Sequence, residues 1–189
     1  MMGLIMMTAL FPKIPRFAYS TNFNSNNIWM YAVDYSSGML GSLGTIPAGT
    51  GPSSIKVDSA GKFAYASNNG SGNVTVYSIN QSTGLLTSLG NTPTNTGSMA
   101  VCIHPSGKFL YVGNATANTI SIFSIDQTTG LLTPLTPSPA TNPTGITIDA
   151  TGTYLYASNT GGTAVLMFSI NPLTGLLTAN GSMQATHKK

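Results

Sequence analysis

One six-residue phrase occurs four times in this chain at nearly equal intervals. The copies are FAYSTN, FAYASN, FLYVGN and YLYASN, and they begin at Phe17, Phe63, Phe109 and Tyr154. The intervals are 46, 46 and 45 residues, so a tandem repeat constrains the fold more than any single segment does. Short strand-like segments that recur with a period in the forties are typical of the blades of a β-propeller.

One repeat reads as four strands. In the second copy, residues 54–57, 63–67, 73–79 and 85–89 are alternating or rich in β-branched and aromatic residues, and Gly, Asn and Asp separate them. We therefore predict an all-β propeller in a single domain, residues 1–189. The predicted blades span about residues 5–46, 52–92, 98–138 and 143–180, with a tail at residues 181–189.

The recurring polar residues are predicted to build turns. A glycine in each last hairpin supplies a positive φ, and an Asx residue four positions earlier accepts bonds from turn amides. The glycines are Gly38, Gly84, Gly130 and Gly175, and the Asx residues are Asp34, Asn80, Asp126 and Asn171. Asp58, His104 and Asp149 open the first hairpin of their blades in the same way. All four acidic residues of the chain are thereby assigned to turns.

The composition excludes several classes of function. Only 6% of the residues are charged, against roughly a quarter in average soluble proteins. The net charge of +3 comes from scattered cations that form no basic stripe, so we predict no nucleic-acid partner. A single cysteine, Cys102, rules out an internal disulfide and a cysteine-based zinc site, and we predict no metal or cofactor. The shortage of charge favours an extracytoplasmic or secreted location.

The apolar residues 1–10 allow two interpretations. They look like a signal peptide, but they have no basic stretch and no small-residue cleavage site, and they are too short to span a membrane. Residues 9–11 align with residues 55–57 of the next repeat, which favours an inner strand of the first blade. His187 lies in the tail.

Three sets of residues are candidates for a functional site. Asn22, Asn68, Asn114 and Asn159 end the second strands and lead into loops on one rim, where they either bind a ligand or start a turn. Arg16, Lys62 and Lys108 share one repeat position and form either a partial basic collar or solvated hairpin residues. His104 is the one candidate for a catalytic base, although Asp58 and Asp149 at its repeat position favour a turn role. Trp29 is expected to pack on a strand.

Several phrases resemble the lactonase-type seven-bladed propellers, such as 6-phosphogluconolactonases, and the related YVTN-repeat propellers. They are GKFLYVGN (residues 107–114), NVTVYSIN (residues 73–80) and TGLLT (residues 83–87, 129–133 and 174–178). The resemblance implies the propeller fold. In the family's enzymes it implies a site of Arg, Glu and His at one end of the channel. This chain has no Glu and only one Arg, Arg16, so no catalytic residue is carried over.

Two functions follow from the resemblance and the residues. The shortage of charged groups favours a non-catalytic binding or interaction module that takes a small molecule or a protein at a propeller rim. The alternative is a hydrolase of sugar lactones, like the 6-phosphogluconolactonases, or related lactone chemistry.

Four blades are fewer than seven, and the sequence allows three outcomes. The chain forms a small closed ring, forms a half-ring that pairs with a second copy, or is a piece of a larger propeller. An open stack exposes the apolar faces of its end blades, so we expect a homodimer at least as readily as a closed four-bladed monomer.

Overall fold

The structure, a computed structural model, describes residues 16–162 and 164–184. This part of the chain contains fifteen β-strands and no helix, which confirms the predicted all-β fold. The strands form four antiparallel sheets at the four predicted blades. The predicted strand at residues 9–11 and His187 lie outside the described residues.

Each sheet is a meander in which consecutive strands are neighbours. The first contains β1 (Phe17–Asn22), β2 (Asn27–Val33) and β3 (Leu40–Pro47). The second contains β4 (Pro52–Val57), β5 (Phe63–Asn68), β6 (Asn73–Ile79) and β7 (Leu86–Pro93). The third contains β8 (Ser98–Ile103), β9 (Phe109–Asn114), β10 (Thr119–Ile125) and β11 (Leu132–Pro139). The fourth contains β12 (Pro143–Ile148), β13 (Tyr154–Asn159), β14 (Ala164–Ile170) and β15 (Leu177–Gln184).

The blades are arranged side by side through their inner strands. β8 packs against β4 on one side and β12 on the other, and β4 also contacts β1 of the first blade. The described blades therefore form an open arc and not a closed ring.

The outer strands run further than the sequence predicts. β7 continues past residue 89 to Pro93, and β15 continues past the predicted blade boundary at residue 180 to Gln184. Glycine normally weakens a strand, but Gly90 and Gly181 take φ values of 113° and 98° at a shift in register. They form β-bulges through which pairing continues.

The predicted turn roles are confirmed. Gly38, Gly84, Gly130 and Gly175 have φ values between 72° and 75°. The Asx side chains accept bonds from turn amides, as when Asp126 Oδ1 accepts from the backbone nitrogens of Thr128 and Thr129 at 2.8 and 3.0 Å. The uncharged Asn80 side chain accepts the equivalent bonds, from the backbone nitrogens of Ser82 and Thr83.

Each described blade is joined to the next by an aromatic–glycine contact. The two aromatic residues of the repeated phrase in one blade contact the glycine of the last hairpin in the following blade. The Tyr65 hydroxyl donates to the Gly130 carbonyl oxygen at 3.0 Å, and a Cβ atom on Gly130 would lie 2.6 Å from Cγ of Phe63. Phe17 and Tyr19 meet Gly84 in the same way, and Phe109 and Tyr111 meet Gly175. The repeated phrase of the sequence is therefore what connects the blades.

We expect Gly130→Ala to destabilise the protein strongly. The positive φ costs about 1–2 kcal/mol for a residue with a Cβ atom, and the clash with the Phe63 ring adds about 1–3 kcal/mol of overpacking. Urea unfolding followed by circular dichroism measures the loss. Gly90→Ala is the matched control, because Gly90 also has a positive φ but faces open space. Equal losses in the two variants would show that the contact with Phe63 does not stabilise the fold.

Candidate functional site

The candidate residues lie at two opposite ends of the blades. β5 begins directly after Lys62 and ends at Asn68, and β1 and β9 repeat this arrangement. A strand of this length spans about 20 Å. The structure therefore separates an asparagine rim (Asn22, Asn68, Asn114 and Asn159) from a basic rim (Arg16, Lys62, Lys108 and His104).

The central asparagines of the asparagine rim are engaged inside their own blades. Asn68 and Asn114 are buried. Asn68 Nδ2 donates to Thr75 Oγ1 at 2.9 Å, and the Asn114 amide lies 2.9 Å from Ser121 Oγ. These bonds connect the second and third strands, which favours a structural role over ligand binding. Asn22 and Asn159 are half-buried.

Other asparagines on this rim connect neighbouring blades, which the sequence reasoning missed. Asn26 Oδ1 accepts from the Gly51 backbone nitrogen at 2.8 Å, and Asn118 Oδ1 accepts from the Asn142 backbone nitrogen at 2.8 Å. Both Asn26 and Asn118 have positive φ values, which Asn tolerates better than most residues. Their signal in the sequence was the recurrence of Asn one residue before a third strand.

The basic rim carries its three cations in an exposed row. Arg16, Lys62 and Lys108 are exposed at equivalent positions of three successive blades, and Thr153 takes this position in the fourth. The Arg16 guanidinium lies 5.5 Å from the centroid of the Phe17 ring. It borders a cleft of about 230 Å³ between the first two blades, lined also by Phe17, Tyr19, Val57, Gly61 and Ile79. The cleft combines one cation with an apolar floor.

His104 connects the third and fourth blades. The ring is buried, and its Nε2 lies 2.9 Å from the Gly152 carbonyl oxygen, so Nε2 donates. Nδ1 then accepts from the backbone nitrogen of Ser106 at 3.1 Å. Both ring nitrogens are used, so the geometry favours the turn role and leaves no lone pair for a general base.

All four carboxylates are engaged by turns, and they lie on the same rim as the three cations. Hydrogen bonds from the Ser36 side chain, from the Thr129 backbone and from the Thr151 side chain lower the pKa values of Asp34, Asp126 and Asp149, respectively. Asp58 Oδ1 accepts from the backbone nitrogens of Lys62 and Phe63 at 2.7 and 2.8 Å. Because their pKa values are lowered, Asp34, Asp126 and Asp149 are weak bases and are poorly suited to activating water.

Cys102 is buried, and burial raises the pKa of its thiol to about 12. The thiol is therefore protonated at neutral pH and is not a nucleophile. Across residues 16–162 and 164–184, no cluster of His, Cys, Asp and Glu is arranged to hold a metal ion. The described residues also contain no helix that is long and apolar enough to cross a membrane.

Comparison with protein families gives a match over nearly the whole chain. The model of the lactonase seven-bladed β-propeller family matches residues 13–103 and 92–188. The chain belongs to this lactonase family.

Solved structures with the lactonase fold are similar to this chain. A candidate 6-phosphogluconolactonase from Bacteroides uniformis is 24% identical with a TM-score of 0.84, and the match covers 90% of this chain and 52% of that one. The periplasmic gluconolactonase of Pseudomonas aeruginosa is 19% identical with a TM-score of 0.81, over 90% and 51% of the two chains. This lactonase-family chain therefore spans about half the length of the structures it matches. A comparison with curated protein sequences found no significant match.

The turn carboxylates of this lactonase-family chain predict how its stability depends on pH. Because folding lowers the pKa values of Asp34 and Asp126, their stabilisation is complete above the unfolded pKa, near 4, and is lost as the pH falls through the folded pKa. We expect the double variant Asp34→Asn, Asp126→Asn to keep its stability at pH 7, because Asn80 and Asn171 fill the equivalent positions. Below pH 4 it should lose less stability than the wild type does.

Thermal unfolding followed by circular dichroism between pH 7 and pH 2 measures this difference. A wild type and a double variant with parallel pH profiles would contradict the assignment. Lys62→Gln, Lys108→Gln, which removes two exposed charges outside these turns, is the control for a general effect of removing charge.

Proposed function

We propose that this chain supplies four blades of a propeller ring that binds and hydrolyses a sugar lactone of the gluconolactone type. The observation that carries the proposal is the lactonase-family match over residues 13–103 and 92–188. The similar fold of a candidate 6-phosphogluconolactonase and of a gluconolactonase supports the same class of substrate.

The reaction sets clear demands on the site. Water adds to the lactone carbonyl carbon, a tetrahedral oxyanion forms, and the ring C–O bond breaks to give a hydroxy acid. A base must take a proton from the water, and positive charge or hydrogen-bond donors must stabilise the oxyanion. The product is a carboxylate, and a phosphorylated substrate carries further negative charge.

The basic rim meets the electrostatic part of these demands. Arg16, Lys62 and Lys108 are exposed on one rim, and the aspartates of the same rim accept hydrogen bonds from turn amides. Exposed cations attract anionic substrates and form charge-assisted bonds with phosphate. We assign to them the binding of the substrate's negative groups.

The base that activates water is a separate matter. In the described residues each aspartate and His104 is engaged in a turn or a contact between blades. We therefore assign water activation to a group outside residues 16–162 and 164–184.

Every described carboxylate is engaged in a turn, and this observation favours a second candidate function. The second candidate is a non-catalytic binding module that binds a sugar acid, a lactone or a protein at one rim. For either function we propose an extracytoplasmic location, which is supported by the low content of charged residues and by the fold shared with a periplasmic gluconolactonase.

Hydrolysis of glucono-δ-lactone and of its 6-phosphate by the full chain, followed in a pH-stat, tests the proposal. We expect turnover of both above the spontaneous rate. The double variant Lys62→Met, Lys108→Met should raise the KM for the phosphorylated lactone about tenfold, because two charge-assisted contacts are lost. The KM for the neutral lactone should change little, and Lys62→Arg, Lys108→Arg is the matched control that keeps the charge.

The outcomes separate the two candidates. Turnover that is lost in His104→Asn would contradict the turn role of His104 and make it the base. Binding of lactone or gluconate without turnover, measured by calorimetry, would support the binding module. If the chain shows no binding and no turnover, both candidate functions are overturned.

A further inference from the structure

A tyrosine hydroxyl closes the first junction between described blades, and the next two junctions lack that hydroxyl. Tyr77 lies on a third strand and packs toward the preceding blade, where its hydroxyl donates to the Pro47 carbonyl oxygen at 2.9 Å. Phe123 and Phe168 occupy the same repeat position in the following two blades. Both phenylalanine rings are buried against the preceding blade, as the Tyr77 ring is. Only the hydroxyl group is missing.

The acceptor for that hydroxyl is repeated at all three junctions. Pro47, Pro93 and Pro139 end the outer strands of three successive blades. Each of them lies opposite the first residue of the third strand in its own blade, and those residues are Asn27, Asn73 and Thr119. Within the described part of the chain, no side chain donates to the carbonyl oxygen of Pro93 or Pro139. These two carbonyl groups therefore keep a free acceptor position.

An open cleft lies at each of these two junctions. The cleft between the second and third blades has a volume of about 160 Å³ and is lined by Pro93 and Phe123. The cleft between the third and fourth blades has a volume of about 270 Å³ and is lined by Pro139 and Phe168. Each of these inter-blade clefts thus contains the proline and the aromatic ring that a hydroxyl connects at the first junction.

The walls of the inter-blade clefts are mainly apolar. Ala140, Leu166 and Ala179 line the larger cleft, and Ile122 and Leu135 line the smaller one. Among the described residues that line them, none is charged. Apolar walls with a few polar groups are typical of sites for neutral small molecules, and these volumes suit a single ring or a short chain.

We propose that the two inter-blade clefts bind a small neutral alcohol with an apolar body, such as a phenol. The ligand's hydroxyl donates to the carbonyl oxygen of Pro93 or Pro139, and its body packs against Phe123 or Phe168. Water could bond the same carbonyl, but it would leave the apolar walls hydrated, whereas a phenol covers both.

The clefts are separate from the basic rim to which substrate binding is assigned. The outer strands end at Pro93 and Pro139 on the side of the asparagine rim, because the opposite third strands begin there. Occupation of the clefts requires no lactone turnover. The binding of an alcohol and the hydrolysis of a lactone can therefore fail independently of each other.

Titration of the full chain with p-cresol, followed by nuclear magnetic resonance, tests the proposal. We expect saturable shifts of the backbone amide signals of Ala140 and Ala179, with a dissociation constant on the order of 1 mM. Toluene is the matched probe without a hydroxyl. It leaves water more readily than p-cresol does, so p-cresol should bind at least as tightly only if its hydroxyl is bonded in the cleft.

Phe168→Tyr supplies the hydroxyl that the first junction has. We expect it to raise the thermal midpoint by about 2–4 °C, because one hydrogen bond is gained at a buried position. It should also abolish the p-cresol shifts at Ala140 and Ala179 and keep those at Ile122 and Leu135 in the smaller cleft.

Two further variants are matched controls. Phe123→Tyr should have the reciprocal effect, because it fills the smaller cleft and leaves the larger one open. Tyr77→Phe makes the reverse change at the first junction, so it should lower the thermal midpoint by a similar amount.

Three outcomes would overturn the proposal. Millimolar p-cresol that shifts no signal from either cleft would show that the clefts do not bind a phenol. Toluene that binds more tightly than p-cresol would show that the carbonyl groups do not accept from the ligand. Shifts at Ala140 and Ala179 that persist in Phe168→Tyr would place the ligand elsewhere.

Discussion

The contact of an aromatic pair with a glycine hairpin of the next blade is the interaction on which the arc depends. Side chains would keep neighbouring blades apart at the hairpin, and glycine removes that obstacle while the turn requires its positive φ. The tyrosine hydroxyl then satisfies a carbonyl that would otherwise be buried without a partner. A single repeated phrase thereby supplies apolar burial, close approach and polar satisfaction at each junction.

The sequence predicts the strands and turns within a blade and misses the contacts between blades. Strands, hairpin glycines and Asx turns depend on residues a few positions apart, and the structure confirms them. The bond from Tyr65 to Gly130 joins residues 65 positions apart, so a pattern within one repeat cannot reveal it. The same reason applies to His104, whose partner Gly152 belongs to the next blade. The outer strands were predicted too short because a glycine at a bulge looks like the end of a strand.

The candidate site shows a second limit of reading a repeat. Lys62 and Asn68 are close in sequence, yet a six-residue strand places them on opposite rims. The burial of Asn68 is also invisible in the sequence, because it depends on the hydroxyl of Thr75 across the hairpin. In the first blade Trp29 replaces that hydroxyl, so the blade gives up an internal hydrogen bond at the position of Asn22.

The replacement of a hydroxyl side chain by Trp29 changes the surface at one end of the arc. Inside the arc, the position of Trp29 holds Thr75, Ser121 and Leu166, and the two hydroxyls bond to the rim asparagines. The indole of Trp29 stands on a face that no described blade covers. Apolar surface of this kind costs free energy in water and is recovered by burial against a partner. The opposite end presents Tyr154 and Val165, so both ends of the described arc expose apolar surface of the kind that the inner blades bury against each other.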